Sequence, residues 1–370
     1  MLSSTQATIG VAIVGTGFGQ KVHIPALQAH HRTEIVAVYH RDLAKAQAIA
    51  QTYQIPHASQ SLEEILALPN VQGVSISTPP FLHYPMAKQV LNAGKHLILE
   101  KPTTLTVTEA RELQDLATAK GLITTMNFEF RCIPAWLRLA ELLAEGYVGK
   151  PRLIKVDWLV SSRADASRPW NWYARKDQGG GALGAIGSHA FDYIAWLFGE
   201  VKQICARLNV SVPERPDPNS GGQLQPVDAD DICLIMLELE DGRPCQLNLS
   251  AATYQGRGHW VEVYGDRGTL VLGSSNQKDY VHGFQLWGSQ QGAELTELDI
   301  PARLEFPRTW EDGRIAAFLR IVDRWVQGID QGKAIVPSLQ EGVCSQLLMD
   351  LAHQSNQSKT WIDVPKILIN

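Results

Sequence analysis

A lysine follows an apolar run in the segment Leu97-Ile98-Leu99-Glu100-Lys101-Pro102. The run has strand character, and Pro102 prevents regular strand pairing beyond it. In an open parallel sheet, ligands bind just past the carboxyl ends of the strands, so Lys101 is well placed to contact a substrate. Glu100 is expected to hold Lys101 in place. The alternative interpretation is a strand end with a surface ion pair.

A histidine and an aspartate follow the glycine-rich stretch 179–187. On a helix, residues three apart share a face, so Asp192 is expected to orient the His189 imidazole. Histidine can take a hydroxyl proton near neutral pH, and a lysine beside the same oxygen can stabilise the developing alkoxide. The alternative is that His189 is a structural cap at the start of its helix.

A glycine-rich loop, Gly15-Thr16-Gly17-Phe18-Gly19, directly follows the strand-like run Ile9–Val14. Glycines in this position let the backbone approach a pyrophosphate, whose charge the N–H groups of the following helix bind. The strict G-x-G-x-x-G pattern is incomplete, because Gln20 takes the third glycine's place and Gly19 comes one residue early. A dinucleotide site is favoured over a simple tight turn.

The end of the second predicted strand indicates which dinucleotide is bound. An acidic residue there holds the ribose of NAD, whereas arginine suits the 2′-phosphate of NADP. This chain has His40, Arg41 and Asp42 at that point, and arginine also stacks well on an adenine ring. NADP is therefore favoured, with NAD as the alternative through Asp42. Arg41 and Asp42 are otherwise a solvated helix start.

Strands and helices alternate through residues 1–126, which predicts an α/β dinucleotide-binding domain with a doubly wound parallel sheet of Rossmann type. Thr108 is expected to cap a helix that ends before Gly121. Residues 127–370 are predicted to form an α+β domain with an open, mostly antiparallel sheet. Hairpin signals occur at Asp241-Gly242 and at 266–268, and two helices end the chain.

Composition limits the partners and the compartment. The 370 residues carry a net charge of −5, and no apolar run approaches the roughly 20 residues of a membrane span, so neither nucleic acid nor membrane is expected as a partner. Residues 1–6 have neither a basic region nor a long apolar run, so a signal peptide is not expected. Five cysteines without a CxxC pair favour reduced thiols in a cytoplasm. The scattered histidines lack the spacing of metal ligands, so no metal site is predicted.

The ordered motifs together resemble the Gfo/Idh/MocA oxidoreductases (glucose–fructose oxidoreductase, inositol dehydrogenase and relatives). The match covers residues 8–355. Its main motifs are Glu100-Lys101-Pro102 and Gly187-Ser188-His189 followed by Asp192. The smaller ones are Ser77-Thr78-Pro79-Pro80 with His83, Asn127 with Arg131 and Pro134, and Val263-Tyr264-Gly265.

The resemblance implies an oxidoreductase that moves a hydride between a nicotinamide and a secondary alcohol or ketone of a sugar- or polyol-like molecule. It implies that the chain assembles through its C-terminal sheet into a homodimer or homotetramer. The implied catalytic residues are Lys101, His189, Asp192 and Glu100. The implied cofactor-binding residues are Gly15, Thr16, Gly17, Phe18, Gly19, His40, Arg41, Thr78, Pro79, His83, Glu100, Lys101 and Asn127. The implied substrate-binding residues are Lys101, Arg131 and His189. Trp172 and Arg175 are added from a loop rich in arginine and tryptophan, which also contains Arg163, Arg168 and Trp170 and could stack on a sugar or pair with an acidic substrate. The alternative is that these loop residues only fill the core and the surface.

One position departs from the family's pattern. The family usually has an aspartate four residues before the histidine, where this chain has Ala185. That carboxylate normally helps to bind the hydroxyl substrate, so a non-sugar carbonyl, a diol or an imine is an alternative substrate. A catalytically silent dinucleotide-binding regulator is a further alternative, but it would need neither Lys101 nor His189.

Overall fold

The computed structural model describes residues 7–276 and 279–366. The chain forms two compact units, Met1–Glu129 with Arg308–Val343 and Phe130–Pro307 with Cys344–Asn370. None of the helices in these described ranges is both long and apolar enough to cross a membrane.

The first unit contains a six-stranded parallel sheet in the order β3-β2-β1-β4-β5-β6. Its strands are β1 (Ile9–Val14), β2 (Thr33–Tyr39), β3 (His57–Ser59), β4 (Gly73–Ile76), β5 (His96–Leu99) and β6 (Thr124–Met126). The strand order reverses between β1 and β4, so the carboxyl ends of these two strands border the crevice where such sheets bind ligands. The predicted Rossmann-type sheet is confirmed.

Helices connect these parallel strands and cover the sheet. They are α1 (Ile24–Ala29), α2 (Leu43–Tyr53), α3 (Leu62–Leu66), α4 (His83–Asn92) and α5 (Val107–Ala119). Every residue of β1 is buried, as expected for a strand with both faces covered. The cap of α5 is Thr106 rather than the predicted Thr108, because Thr106 and Glu109 form a reciprocal capping box.

The second unit is built on a nine-stranded sheet in the order β16-β15-β14-β13-β7-β12-β11-β8-β17. The sheet strands are β7 (Pro151–Leu159), β8 (Val201–Asn209), β11 (Ile232–Leu239), β12 (Pro244–Ser250), β13 (Gly258–Gly265), β14 (Gly268–Ser274), β15 (Gln285–Gln290), β16 (Thr296–Glu297) and β17 (Ile362–Asp363). A separate ribbon pairs β9 (Glu214–Pro216) with β10 (Leu224–Pro226). β7 and β12 are parallel, whereas the other neighbouring strands are antiparallel, which confirms the predicted, mostly antiparallel sheet.

The remaining helices are α6 (Pro134–Ala144), α7 (Ser188–Phe198), α8 (Tyr280–Gly283), α9 (Arg314–Gln331) and α10 (Leu339–Ser358). Aromatic side chains from α6, α7 and the sheet pack together in the second unit. Trp136, Tyr193 and Trp158 belong to this cluster, with Trp136 and Tyr193 fully buried. The helix α7, which contains His189, is therefore fixed by a solid core.

The helix α9 belongs to the first unit, although the sequence placed everything after residue 126 in the second domain. Trp325 is fully buried, and a Cβ on Gly73 of β4 would lie 2.5 Å from its ring. Phe318 stacks on His23 with ring centroids 4.0 Å apart. The apolar stripe of α9 predicts that the helix is packed but does not specify which core it packs against.

Candidate active site

The glycine loop after β1 packs against the segment that follows β4. Gly15 has φ +100°, and a Cβ there would lie 2.6 Å from the Ser77 carbonyl carbon. A Cβ on Gly19 would lie 2.5 Å from the Ser77 Oγ, whereas a Cβ on Gly17 would meet no atom within 4 Å. Close packing therefore requires glycine at 15 and 19, and the space beside Gly17 is open to a ligand.

A groove runs beside this loop along the ends of β1, β2 and β4. Its lining residues are Gly15, Thr16, Tyr39, His40, Arg41, Thr78, Phe81, Leu82 and Met86. Arg41 is exposed at its edge. The Asp42 carboxylate accepts backbone N–H bonds from Ala44 and Lys45 at 3.1 and 3.4 Å, as the N-cap of α2. Asp42 thus uses its Oδ1 atom to cap its own helix.

The segment after β4 has a buried hydroxyl with an unused hydrogen-bonding capacity. The Oγ1 atom of Thr78 is buried and has no hydrogen-bond partner among the described residues. A buried polar atom of this kind is costly unless a ligand or water satisfies it. Together with the glycine loop and the groove, it fits a dinucleotide bound across the ends of β1 and β4.

His83 was predicted among the cofactor-binding residues, but the structure places its ring in the interior. Its Nδ1 lies 2.8 Å from the Pro102 carbonyl oxygen, and its Nε2 lies 2.8 Å from that of Thr78. Burial lowers the pKa of His83, which favours the neutral ring that donates to one of these oxygens. Both ring nitrogens are thus engaged by backbone carbonyl oxygens, and His83 links the segments after β4 and β5.

Glu100 lies at the centre of a buried hydrogen-bond network at the end of β5. Its Oε1 contacts the Nε2 of His23 at 3.0 Å and accepts a bond from the Asn127 amide at 2.5 Å. Its Oε2 accepts the Lys101 backbone N–H at 3.2 Å. Burial alone would raise the pKa of Glu100, but His23, Lys101 and Asn127 together hold it below its ordinary value.

Lys101 is half-buried directly after β5, as the sequence predicted. Burial lowers the pKa of Lys101, whereas the charges of Glu100 and Glu129 oppose that shift. Glu100 therefore acts on Lys101 by its charge and through the backbone N–H. A lysine with a lowered pKa at a strand end has the features of a catalytic or substrate-polarising group.

In the second unit, His189 lies on α7 immediately after a π-helical turn, Leu183–Gly187. Ala185, where the family usually has an aspartate, belongs to this turn. The buried Asp230 carboxylate accepts the Leu183 N–H at 2.8 Å, and the Asp230 carbonyl accepts the Ala182 N–H at 2.7 Å. Burial raises the pKa of Asp230 despite these bonds. Asp230 thereby anchors the start of the helix that presents His189.

Arg131 was predicted to bind substrate, but its guanidinium is engaged with Asp192. The Arg131 Nε and Nη2 lie 2.9 and 2.8 Å from the two Asp192 carboxylate oxygens. Both side chains are buried, with 7% and 2% of their surfaces exposed. This bidentate pair connects α7 to the segment before α6, so its role is to position the helix face that includes His189.

The His189 ring is buried against aromatic side chains of the second unit. Phe130 meets it edge-on at 4.9 Å between ring centroids, and Trp158 lies at 6.2 Å. Trp158 in turn stacks on His259 at 3.9 Å. The apolar walls on this side restrict how the imidazole can turn.

The arginine- and tryptophan-rich loop is held partly by its own contacts. Arg175, predicted to contact substrate, pairs with Asp177 at 2.7 Å. Trp170 Nε1 donates to the Pro226 carbonyl at 2.9 Å, and Trp172 is half-buried beside Tyr173. Arg175 thus already has a carboxylate partner, so it is a weaker candidate for a substrate ligand than the sequence suggested.

Sequence reasoning missed His23 and Asp230. His23 lies four residues after Gly19 and contacts Glu100, 77 positions away, so no local pattern predicts the pairing. Asp230 comes from an acidic pair, Asp230-Asp231, immediately before β11. A charged pair at the entry of an apolar strand was the available signal. No cluster of three or more metal-ligating side chains occurs in the described parts of the chain.

Comparisons with known proteins agree with this geometry. A family model described as "Oxidoreductase family, NAD-binding Rossmann fold" matches residues 9–128, and one described as "Oxidoreductase family, C-terminal alpha/beta domain" matches residues 140–364. An uncharacterized oxidoreductase of Synechocystis is 54% identical over 96% of both chains. Levoglucosan dehydrogenase of Pseudarthrobacter phenanthrenivorans is 26% identical, over 97% of this chain and 99% of its own length.

A solved structure of levoglucosan dehydrogenase, in complex with NADH and L-sorbose, has the same fold. It superposes with a TM-score of 0.88 at 22% identity, covering 98% of this chain and 100% of the other.

The Arg131–Asp192 pair is expected to contribute to the free energy of unfolding. Arg131→Met or Asp192→Leu alone should lower the free energy of unfolding by about 3–5 kcal/mol, because each leaves a buried charge unpaired. The double variant should recover most of that loss, since no charge then remains buried. Urea unfolding followed by circular dichroism measures all three. Additive losses in the double variant would contradict the pairing.

Proposed function

This chain belongs to the Gfo/Idh/MocA family of oxidoreductases, and on that basis we propose that it transfers a hydride between NADP and a secondary alcohol or ketone of a sugar-like small molecule. The family membership supports a nicotinamide cofactor. The relative levoglucosan dehydrogenase, which has been solved with NADH and L-sorbose, supports a sugar-like substrate.

The observation that carries the proposal is the placement of Lys101. It lies half-buried at the carboxyl end of β5, next to β4, which borders the crevice. Its neighbours Glu100 and Glu129 are both buried carboxylates. A structural surface lysine would have no need of this arrangement, which keeps a charged amine at the ligand-binding edge of a sheet.

The nicotinamide, when bound, supplies the site that accepts or donates the hydride. Lys101 donates a hydrogen bond from Nζ to the substrate oxygen and stabilises the negative charge that develops there. His189 takes the hydroxyl proton on a ring nitrogen during oxidation and returns it during reduction. Glu100 fixes the backbone of Lys101, and the Arg131–Asp192 pair fixes α7.

The first prediction of this proposal concerns turnover. Lys101→Met and His189→Asn should each reduce kcat at least about 100-fold, because each removes a group that handles charge or a proton in the reaction. Affinity for NADPH, measured by fluorescence titration, should change little. Lys88→Met is the matched control, since Lys88 forms an exposed ion pair with Glu112.

Sugars, polyols and their keto forms provide the substrate panel for these assays, together with non-sugar carbonyls, diols and imines. Full activity of both variants on a substrate of the wild type would contradict the mechanism. Binding of NADPH by a wild type that turns over no member of the panel would instead favour a dinucleotide-binding protein without catalysis.

The preference for NADP over NAD rests on the end of β2. Arg41 is exposed at the groove, and Asp42, the nearest carboxylate, caps α2 instead. A guanidinium binds a 2′-phosphate through charge and paired N–H groups. We therefore propose Arg41 as the ligand of that phosphate.

Removal of the Arg41 side chain should bring the affinities for NADPH and NADH closer together. Arg41→Ala is expected to weaken the binding of NADPH at least about tenfold and to leave the binding of NADH nearly unchanged, because only NADPH has the 2′-phosphate. Fluorescence titration with each cofactor measures both affinities. Arg111→Ala, at an exposed position on α5, is the control variant. A wild type that prefers NADH would overturn this assignment.

We further propose that the outer face of the nine-stranded sheet joins two copies of the chain. Leu234 and Met236 on β11 are 50% and 49% exposed, although both are large apolar side chains on one sheet face. Beyond β12, on β7 and β13, Asp157 and Glu262 are balanced by Lys155 and Arg257. A patch with equal positive and negative charge can face its own copy across a two-fold axis.

Charges introduced into the apolar part should prevent this assembly. The double variant Leu234→Glu/Met236→Glu is expected to halve the particle mass of the wild type, or to reduce it further if the protein is a tetramer. Multi-angle light scattering after gel filtration gives that mass. The control is Leu224→Glu, at a side chain that is 57% exposed on the separate ribbon. An unchanged mass in the double variant would contradict the interface.

The cysteine content agrees with a cytoplasmic enzyme, which we propose as the location. The structure joins none of the five cysteines in a disulfide, and three of them are buried. Reduced cysteines are typical of proteins that remain in a reducing compartment.

A further inference from the structure

His23 is a fully buried histidine that the proposed mechanism does not use. Its Nδ1 lies 2.8 Å from the Ser75 Oγ of β4, and its Nε2 lies 3.0 Å from the Glu100 Oε1. One face of the ring stacks on Phe318 of α9 at 4.0 Å, and Phe18 meets its edge at 5.5 Å. The ring is therefore held on all sides and connects two neighbouring strands.

These contacts determine which nitrogen carries the proton. The pKa of Glu100 lies below its ordinary value, so its carboxylate is ionised near neutral pH and can only accept. His23 must then donate from Nε2. The Ser75 hydroxyl can donate to Nδ1, which completes a chain from Ser75 through His23 to Glu100.

We propose that His23 is a positioning residue for Lys101 that acts through Glu100. Its Nε2–H fixes one carboxylate oxygen, so that the other accepts the Lys101 backbone N–H and the full negative charge stays beside the lysine. This inference rests on the role proposed above for Lys101. It adds that the protonation of Lys101 depends on His23 through the Glu100 carboxylate.

The charges near Lys101 determine whether loss of the His23 contact raises or lowers the pKa of Lys101. Those that act on Lys101 are Glu100, Glu129 and Arg314, and Arg314 is itself paired with Asp312 at 2.6 Å. Without the His23 donor, fewer groups oppose the effect of burial, so the pKa of Glu100 rises and its carboxylate is more readily protonated. The charge that most strongly raises the pKa of Lys101 is then weakened, and that pKa falls.

Two amide substitutions distinguish the contact that His23 makes with Glu100 from the contact that it makes with Ser75. His23→Gln places an amide N–H near the position of Nε2, within reach of Glu100. His23→Asn is one methylene shorter, so it reaches the Ser75 side but not Glu100. Both variants keep a polar side chain of similar bulk, which makes each the control for the other. His23→Leu replaces His23→Asn if the latter does not fold.

The measurement is the pH dependence of Lys101 acetylation in the intact full-length chain. Acetic anhydride reacts only with the neutral amine, and mass spectrometry after digestion gives the extent of labelling at each pH. Lys45, whose side chain is 67% exposed, is the internal reference. The midpoint for Lys101 should fall by about one unit or more in His23→Asn and stay at the wild-type value in His23→Gln.

Glu100→Gln tests whether His23 acts on Lys101 through the Glu100 carboxylate. It should lower the midpoint as His23→Asn does, and the double variant His23→Asn/Glu100→Gln should show no further change. A wild-type midpoint in His23→Asn, a lowered midpoint in His23→Gln, or an additional shift in the double variant would each overturn the proposal.

This experiment requires neither cofactor nor substrate. If Lys101→Met retained full turnover, the proposed function would fail while the acetylation data would still decide the link between His23 and Lys101. A normal loss of turnover in Lys101→Met with unshifted acetylation in His23→Asn would refute only the link.

Discussion

A carboxylate buried at the end of a strand has to be paired, and in this protein the site in the first unit depends on how Glu100 meets that requirement. Removing the charge from water costs several kcal/mol unless donors replace the lost hydration. The donors come from three parts of the chain: His23, Asn127 and the backbone of Lys101. One buried charge thus holds together the helical turn Gly19–His23 after the glycine loop, the end of β5 and the segment after β6.

The second unit follows the same rule with a different set of groups. Asp230 holds the N–H groups at the start of the π-helical turn, and Asp192 holds Arg131 further along the helix. The helix that presents His189 is therefore tied at two points by buried carboxylates. Such ties are costly to break and geometrically specific, which is what a group that transfers a proton requires of its support.

The sequence was sufficient wherever the decisive interaction is local. The apolar runs of β1, β2 and β4 and the hairpin at Asp241-Gly242 depend on neighbouring residues, and the sheets they predict are present. Long-range partners were not predictable in this way. Arg131 and Asp192 lie 61 positions apart, and the nature of an arginine does not reveal whether it will meet a substrate or a carboxylate.

One error was avoidable from local information. The pattern Thr106-x-x-Glu109 is a capping box that places the start of α5 two residues before the predicted cap, Thr108.

The return of α9 to the first unit has a consequence for synthesis of the protein. The chain emerges from the ribosome from its N-terminus, so β1 to β6 are made well before Trp325, which fills the space beside Gly73. Until residues 308–343 have been made, the sheet lacks part of its cover, and its apolar face is open to other chains. The second unit's sheet, by contrast, is nearly complete at that stage. The unit whose synthesis begins first therefore stays incomplete until most of the chain has been made, and the nascent chain should depend on chaperones over that interval.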